Sequence, residues 1–529
     1  MIKKPRVVII GAGMAGLTAA HKLYASPNSN QLFDLSIVEG GYRIGGRVKS
    51  SEFCGDRIEL GATWIHGIEG SPIYKIAQQS NFLHSHRPSE LMNGFTQKPI
   101  TVAEGGHELN PSLVEPVSRI FQNLLNFIQG EAVDEDEFTS QVLRNCNSKF
   151  RNGNVSVGSF LRQGLEAYWG VVKDCEEVKG VGNWSKRLLE EAIFAMHENK
   201  QRSISSADDL CSLDYNAERD YNQNVFSGEE ITIGGGYSSV IECLASVLPV
   251  GMIQLGKKVE KIEWRSDGLE RAHVDDDRPV KLHFGDGSTM AADHVIVTVS
   301  LGVLKHGIGQ NRGMFNPPLP SSKVQAISRL GFGVVNKVFL QVQRNDSRKF
   351  PFFQMVFHKP DSEMRSPEIP HWIRKTSFLY PIYDDSRVVL SWFTGKEAVE
   401  LESLSKEEII NGFSATASNL CNRSENSGGK EFKFEKVMRT KWGSDPLFLG
   451  SYSYIAVGSS GDDMDTLAEP LPGNSNLDSS IPIPPLQIMF AGEATHRTHY
   501  SNTHGAYFSG LREADRLLKH YELDIKLYH

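Results

Sequence analysis

No Cys-x-x-Cys pair occurs in this chain, and its six cysteines, Cys54, Cys146, Cys175, Cys211, Cys243 and Cys421, stand far apart with no histidine cluster at metal-ligand spacing. That scarcity excludes a zinc ribbon and a disulfide framework, so the thiols are expected free and mostly buried in a reducing compartment, and no metal is expected. Long apolar runs are missing too: nothing approaches the roughly 18–20 residues of a membrane span. A basic excess is absent. The formal charge is −8, which disfavours a nucleic-acid or anionic-membrane surface and mildly favours a cationic ligand. The first strand begins by Arg6, with no room before it for a leader, and the final Lys526-Leu527-Tyr528-His529 does not match a Ser-Lys-Leu address. A cytoplasmic location is the expectation. No internal repeat is evident, and 529 residues of ordinary globular composition predict two domains.

What is present begins at Arg6. Arg6-Val7-Val8-Ile9-Ile10 reads as a buried strand, which Gly11-Ala12-Gly13-Met14-Ala15-Gly16 turns into a helix. Gly11 permits the turn, Gly13 lets the backbone approach a pyrophosphate, and Gly16 lets helix and strand pack closely. The helix start around Ala15 offers N–H donors and a partial positive charge to phosphate. A second strand, Leu35-Ser36-Ile37-Val38, ends in Glu39, 23 positions past Gly16, where an acid accepts from ribose hydroxyls. The alternative is a structural turn beside a surface glutamate; a bound dinucleotide is the stronger reading. Arg43-Ile44-Gly45-Gly46-Arg47 offers a further glycine approach with two guanidiniums. Near the other end, Ile488-Met489-Phe490 reads as a strand running into a glycine turn at Gly492-Glu493, and a helix starts near Gly505.

Between these ends, apolar spacing predicts helices over Val114 to Ile128, Trp184 to His197 and Ser239 to Leu248, with Asp134-Glu135-Asp136-Glu137 as a solvated helix start. Strands are expected over Asp293 to Val299, returning to the nucleotide sheet, and over Val335 to Val342 and Arg387 to Trp392. Asp275-Asp276-Asp277 and Gly285-Asp286-Gly287 read as turns, and Lys359 to His371 and Ser459 to Pro485 as surface loops.

Taken together, the glycine fingerprint, Arg-Ile-Gly-Gly-Arg and the C-terminal Gly-Glu strand resemble the flavin-containing amine oxidases over essentially the whole chain. Within them, the similarity is to polyamine oxidases, most of all the plant cytosolic thermospermine and spermine oxidases. The resemblance implies an α/β fold with a Rossmann-like FAD-binding domain of the GR2 type, from residues 1–80, 225–315 and 455–529. Residues 81–224 and 316–454 would form a discontinuous α+β substrate-binding domain. FAD would be held by Gly11, Gly13, Ala15, Gly16, Glu39, Gly40, Arg47, Gly61, Ala62, Thr63, Trp64, Val259, Trp442, Gly492, Glu493 and Thr503. It would be non-covalent, because Ser451 stands where monoamine oxidases carry a flavin-linking cysteine.

Lys337 lies inside the apolar run Val335 to Leu340, where burying an ammonium is costly. By resemblance it holds a water against flavin N5; the bland alternative is an edge-strand lysine in solvent. His66 matches the histidine of animal-type spermine and acetylpolyamine oxidases, where plant extracellular enzymes have an acid. Tyr452 would form one wall of an aromatic cage, with Thr503 replacing the usual aromatic of the facing wall. Glu218 and Trp64 complete the substrate set, although a chance acid is as good a reading of Glu218. Trp392, Trp442 and Phe448 are tunnel or core. The implied reaction oxidises spermine or thermospermine at a secondary amine, yielding a shorter polyamine, 3-aminopropanal and hydrogen peroxide from O2. A monomer is favoured. The competing functions are a histone-lysine demethylase-like enzyme, whose chromatin-binding modules are missing here, and a non-catalytic FAD-binding protein.

Overall fold

The computed structural model describes residues 4–26, 32–83, 98–147, 155–172, 181–265, 278–309, 313–343, 349–383, 385–421, 432–472 and 486–527. Cys175, the turn at 275–277 and the stretch 473–485 lie outside them.

The β-branched run Arg6–Ile10 is the middle strand of a parallel five-stranded sheet. Its order is Ile488–Phe490, His294–Val297, Arg6–Ile10, Asp34–Val38, Ile253–Gln254. Alternation along these strands splits them between two cores, as a sheet covered on both faces requires. Val7, Ile9, Ile37, Ile296 and Met489 pack with Leu17, Leu23, Ile241 and Leu517. Val8, Ile10, Val295, Val297 and Phe490 pack on the other face with Leu282, Met314 and Leu467. The helix Met14–Ala25 lies against the long C-terminal helix Thr503–Leu527. A Cβ on Gly510 would sit 2.3 Å from the Ala15 carbonyl oxygen, so the two backbones touch. Both ends of the chain therefore build one corner of the molecule.

A second, mixed sheet runs Phe434–Arg439, Val335–Val342, Val388–Thr394, Phe378–Pro381, Phe353–Val356, Ile100–Ala103, His107–Glu108. Every residue of Val335–Val342 is buried, and the strand has a hydrogen-bonded neighbour on each side. Lys337 is thus not on an edge. The expected strand over Arg387 to Trp392 forms as Val388–Thr394. Four helices, Pro111–Gln129, Glu137–Asn147, Val157–Val171 and Lys186–Ser205, share a third core. The last outruns the predicted end at His197 because its polar end is anchored rather than solvated. Arg202 donates to the carbonyls of Asp208 (2.7 Å) and Thr394 (3.2 Å) and to Glu397 (2.9 Å). Asp134 and Asp136 pair with Arg119 ahead of the helix Glu137–Asn147, as a solvated start should.

One expected loop is a helix. Gly461–Ala468 forms because Ser460 and Asp463 make a reciprocal capping box, and the Lys323 ammonium donates to the carbonyls of Thr466, Leu467 and Glu469 at its far end. The Lys359 to His371 segment is a loop, leading into a 3-10 turn at His371–Lys375 whose Arg374 forms a buried bidentate pair with Glu104 (2.7 and 3.0 Å). Among the described residues, no helix is long and apolar enough to cross a membrane.

Candidate active site

The first strand leaves Ile10 into Gly11, whose φ of +107° suits glycine. A Cβ on Gly16 would fall 2.0 Å from the Gly11 carbonyl oxygen, so Gly16 packs as the fingerprint requires. Gly13 differs: a Cβ there would meet nothing nearer than 3.9 Å, and no side chain caps the helix it begins. Open space at Gly13 therefore coincides with a helix start that no side chain caps. The Gly45-Gly46 loop lies alongside, with the Gly45 N–H on the Ala12 carbonyl at 2.7 Å. Glu39 braces the turn, accepting from the Ala12 N–H (2.8 Å) and the Gly41 N–H (2.7 Å). Gly40 lies here too, between the Glu39 and Gly41 carbonyls that take the Lys257 and Gly256 N–H groups, and Val259 opens the strand Val259–Glu263 two residues past Lys257.

From this turn a cavity of about 390 Å³ opens, lined in part by Glu39, Gly46, Leu60, Trp442 and Phe448. Arg43, Lys49 and Arg439 also line it, and burial holds all three cations below their ordinary pKa values. Asp445 lines it with them, so the cavity wall carries charges of both signs. Of the three cations, Lys49, just before the strand Ser50–Phe53, and Arg439, at the end of the strand Phe434–Arg439, carried no sequence signal. Trp442 donates its indole N–H to the Leu60 carbonyl at 3.2 Å.

Leu60 opens the stretch that brings most of the expected residues together. A Cβ on Gly61 would lie 1.8 Å from the Arg47 carbonyl oxygen, so the chains cross in contact. Lys337 reaches the same stretch from the second sheet: Nζ donates to the Glu59 carbonyl (2.6 Å), the Gly61 carbonyl (2.8 Å) and Thr63 Oγ1 (2.6 Å) and lies over the Trp392 ring at 4.5 Å. Ala62 bonds back to Arg47. Arg47 in turn donates to Glu493 (2.8 Å) and the Ser451 carbonyl (2.9 Å). Glu493 is buried and also takes the Ser453 hydroxyl and the Ser501 N–H, tying the Tyr452 strand to the turn before Thr503. Gly492, at φ +128°, has open space in front of it.

Beyond half-buried Trp64, Ile65 pairs with Ile231. That bridge sets His66 beside Glu230, with Nδ1 at 2.7 Å from Oε1. Glu230 was not legible in the sequence, because its partner is 164 positions away. Tyr452 donates its hydroxyl to the Ser203 carbonyl, and Thr503 bonds the hydroxyl of buried Tyr237. Glu218 is buried at the start of the helix Tyr215–Asn222, and burial raises its carboxyl to about 7. It acts electrostatically on Tyr221 and Tyr500, whose rings lie 4.8 Å apart; the Tyr500 hydroxyl is buried without a partner.

The family model for flavin-containing amine oxidoreductases matches residues 14–518. The chain belongs to this family. The flavin-containing amine oxidoreductases it resembles include "Probable polyamine oxidase 5" of Arabidopsis thaliana, 52% identical over 551 aligned positions covering 99% of both chains. "Polyamine oxidase 1" of Oryza sativa subsp. japonica is 41% identical, over 98% of each. "Peroxisomal N(1)-acetyl-spermine/spermidine oxidase" of Bos taurus is 32% identical over 97% of this chain and 94% of its own. This flavin-containing amine oxidoreductase is an amine oxidase whose cofactor is FAD. The residues present fit that group: an uncapped helix start for phosphate, glycines with room before them at Gly13 and Gly492, and a cavity beside them that Arg43 and Lys49 help to line.

Acid should unfold the protein through its buried imidazoles. Desolvation lowers His504 to about 3, with His66 and His499 adding to the effect, and lowers His197, His294 and His496 to about 4. Unfolded histidines titrate near 6.5, so between about 6.5 and 4 the unfolded chain binds more protons and stability falls as pH drops. Glu218 acts oppositely, its stability deficit growing as pH rises from about 4.5 to 7. Urea melts from pH 7.5 to 4.5 should show the decline, and His504→Gln should lower the apparent proton uptake by about one. An unchanged slope in that variant would contradict the assignment.

Proposed function

We propose that this enzyme oxidises a linear polyamine such as spermine or thermospermine at a secondary amine, releasing a shorter polyamine, 3-aminopropanal and hydrogen peroxide. The observation that carries the reading is the Glu59–His66 stretch, which Lys337 holds from one side and Glu230 from the other. When bound, FAD would supply the hydride acceptor for the carbon next to nitrogen and the route for the electrons to O2. Gly13, Ala15, Glu39, Gly46 and the Arg43–Lys49 cations would hold its dinucleotide part, and Gly61 to Thr63 with Trp442 would lie along the ring system. Buried Ser451 exchanges hydrogen bonds with the Val335 backbone (2.8 and 2.9 Å) and offers no thiol, which supports non-covalent binding. In this division, residues 1–80, 225–315 and 455–529 bind FAD, and 81–224 and 316–454 bind substrate.

His66 prepares the amine. With Glu230 accepting from Nδ1–H, Nε2 carries the lone pair and takes the proton that a reacting ammonium must lose. Tyr452 walls the passage, and Glu218 with the Tyr500 hydroxyl receives a distal amine. Lys337 Nζ uses all three protons on Glu59, Gly61 and Thr63; the rotatable Thr63 hydroxyl is the partner that a water would displace. The scattered cysteines, none of them in a Cys-x-x-Cys pair, support a cytoplasmic setting.

Incubating the flavin-loaded protein separately with spermine, thermospermine and N1-acetylspermine tests this. Peroxide should appear, with spermidine and 3-aminopropanal as the products of the first two by mass spectrometry. No peroxide from any of the three would refute the assignment.

A further inference from the structure

The strand Val335–Val342 buries two polar neighbours, and the chemistry described above uses only one of them. Alternation puts Asn336 on the face opposite Lys337, against the helix Lys396–Ser403. Asn336 has no exposed surface, and its side chain is fully engaged. Its amide N–H groups reach the Ala398 carbonyl (3.1 Å) and Glu402 Oε1 (2.7 Å). Its oxygen takes the Thr440 hydroxyl (2.8 Å) and the Trp442 N–H (3.1 Å). Glu402 is buried as well, and takes the Gly443 N–H on Oε1 (2.7 Å) and the Ser444 N–H on Oε2 (2.8 Å). Burying an amide and a carboxylate is costly unless their bonds are complete, and the strand itself needs neither.

What they complete is a turn. The consecutive N–H groups of Trp442, Gly443 and Ser444 all point at these two side chains, in a segment with no sheet ladder or helix to take them. Such a run of N–H groups suits an anion. Gly443 allows the close approach, since a Cβ there would lie 3.0 Å from Glu402 Oε1 and 3.1 Å from Val334 Cγ1. Thr440 and Trp442 both line the cavity. The Trp442 indole donates to the Leu60 carbonyl, and the Thr440 hydroxyl takes the Lys337 N–H at 2.8 Å. The turn is thereby tied to the stretch that begins at Leu60 and to the strand that carries Lys337.

We propose that Glu402, together with Asn336, is a positioning residue for the cofactor: the pair fixes the turn at 440–444 so that the Trp442 indole lies along the FAD ring system. Both act through Trp442. The inference rests on the placement of Trp442 proposed above and adds what holds it there.

An indole against an isoalloxazine quenches its fluorescence by donating an electron to the excited ring, so the fluorescence lifetime of bound FAD reads the position of Trp442. Glu402→Gln turns one acceptor oxygen into an NH2 group and leaves an N–H of the turn unpaired. It should lengthen that lifetime and weaken FAD binding to the apoprotein by about tenfold, the scale of one buried donor left without its acceptor. Asn336→Leu should act in the same direction. Trp442→Phe should lengthen the lifetime on its own, and adding Glu402→Gln to it should lengthen it no further. Should urea melts show that Glu402→Gln does not fold, Gly443→Ala moves the same turn with the carboxylate intact and should give the same lengthening. Folded variants with the wild-type lifetime and FAD affinity, or a further lengthening on the Trp442→Phe background, would overturn the role of Glu402 and Asn336 alone. A Trp442→Phe enzyme with the wild-type lifetime would overturn the placement of the indole and this inference with it.

Discussion

Lys337→Met is expected to purify yellow and to oxidise amines roughly 10²–10⁴-fold more slowly, the usual loss when a positioned proton-handling group is removed. Methionine follows the lysine stem but ends one atom short of Nζ and donates nothing to Glu59, Gly61 or Thr63. The partly buried Glu59 carbonyl then loses the ammonium and the Gly61 carbonyl is left with the Thr63 hydroxyl at 3.3 Å, so the Glu59–Thr63 stretch should loosen beside the reacting centre. Absorbance at the flavin band gives occupancy, and anaerobic stopped-flow separates flavin reduction from reoxidation. Full occupancy with unchanged rates in both halves would remove the lysine from the mechanism. Should the variant lose flavin, Thr63→Val removes one acceptor only and should slow turnover by about tenfold with colour retained.

Two glycines of one fingerprint should fail in different ways. Gly16→Ala forces a methyl to within 2.0 Å of the Gly11 carbonyl oxygen, between backbone atoms that cannot rotate aside. It should cost about 3 kcal/mol or more, the upper range for overpacking, and yield unstable, colourless protein. Gly13→Ala meets no atom nearer than 3.9 Å and sits at φ −82°, which alanine accepts. That variant should melt like the flavin-free wild type and yet fail to take up FAD, because the methyl fills the space that the pyrophosphate needs. Thermal melts and flavin titration of both proteins decide the matter. A Gly13→Ala protein that binds FAD normally would show the dinucleotide lies elsewhere.

The parallel sheet was legible because its cues are local: a β-branched run, a glycine turn and an acid at the next strand tip all fall within Arg6 to Glu39. Val335–Val342 was legible for the same reason, its β-branched and aromatic residues lying close together although Asn336, Lys337 and Gln341 stand among them. The hairpin Ser50–Phe53 with Asp56–Glu59 was not, since its short polar strands carry no alternation of their own and are fixed by contact with other segments. The site divides along the same line. Motif residues such as Gly13, Glu39 and Gly61 announce themselves by spacing. Glu230 acquires meaning only when the bridge between Ile65 and Ile231 brings it to His66. An isolated glutamate in a polar sequence gives no sign of such a meeting.

The strand Arg6–Ile10 has one neighbour at Asp34–Val38 and the other at His294–Val297. A ribosome adding about 5–20 residues per second needs roughly 10–50 s to travel between those two partners. Through that interval the nascent chain carries a half-paired strand, apolar from Val7 to Ile10, while the helix Thr503–Leu527 that packs on the same core has yet to be made. Newly synthesised protein should therefore depend on chaperone protection, and a fragment ending before residue 488 should aggregate rather than fold.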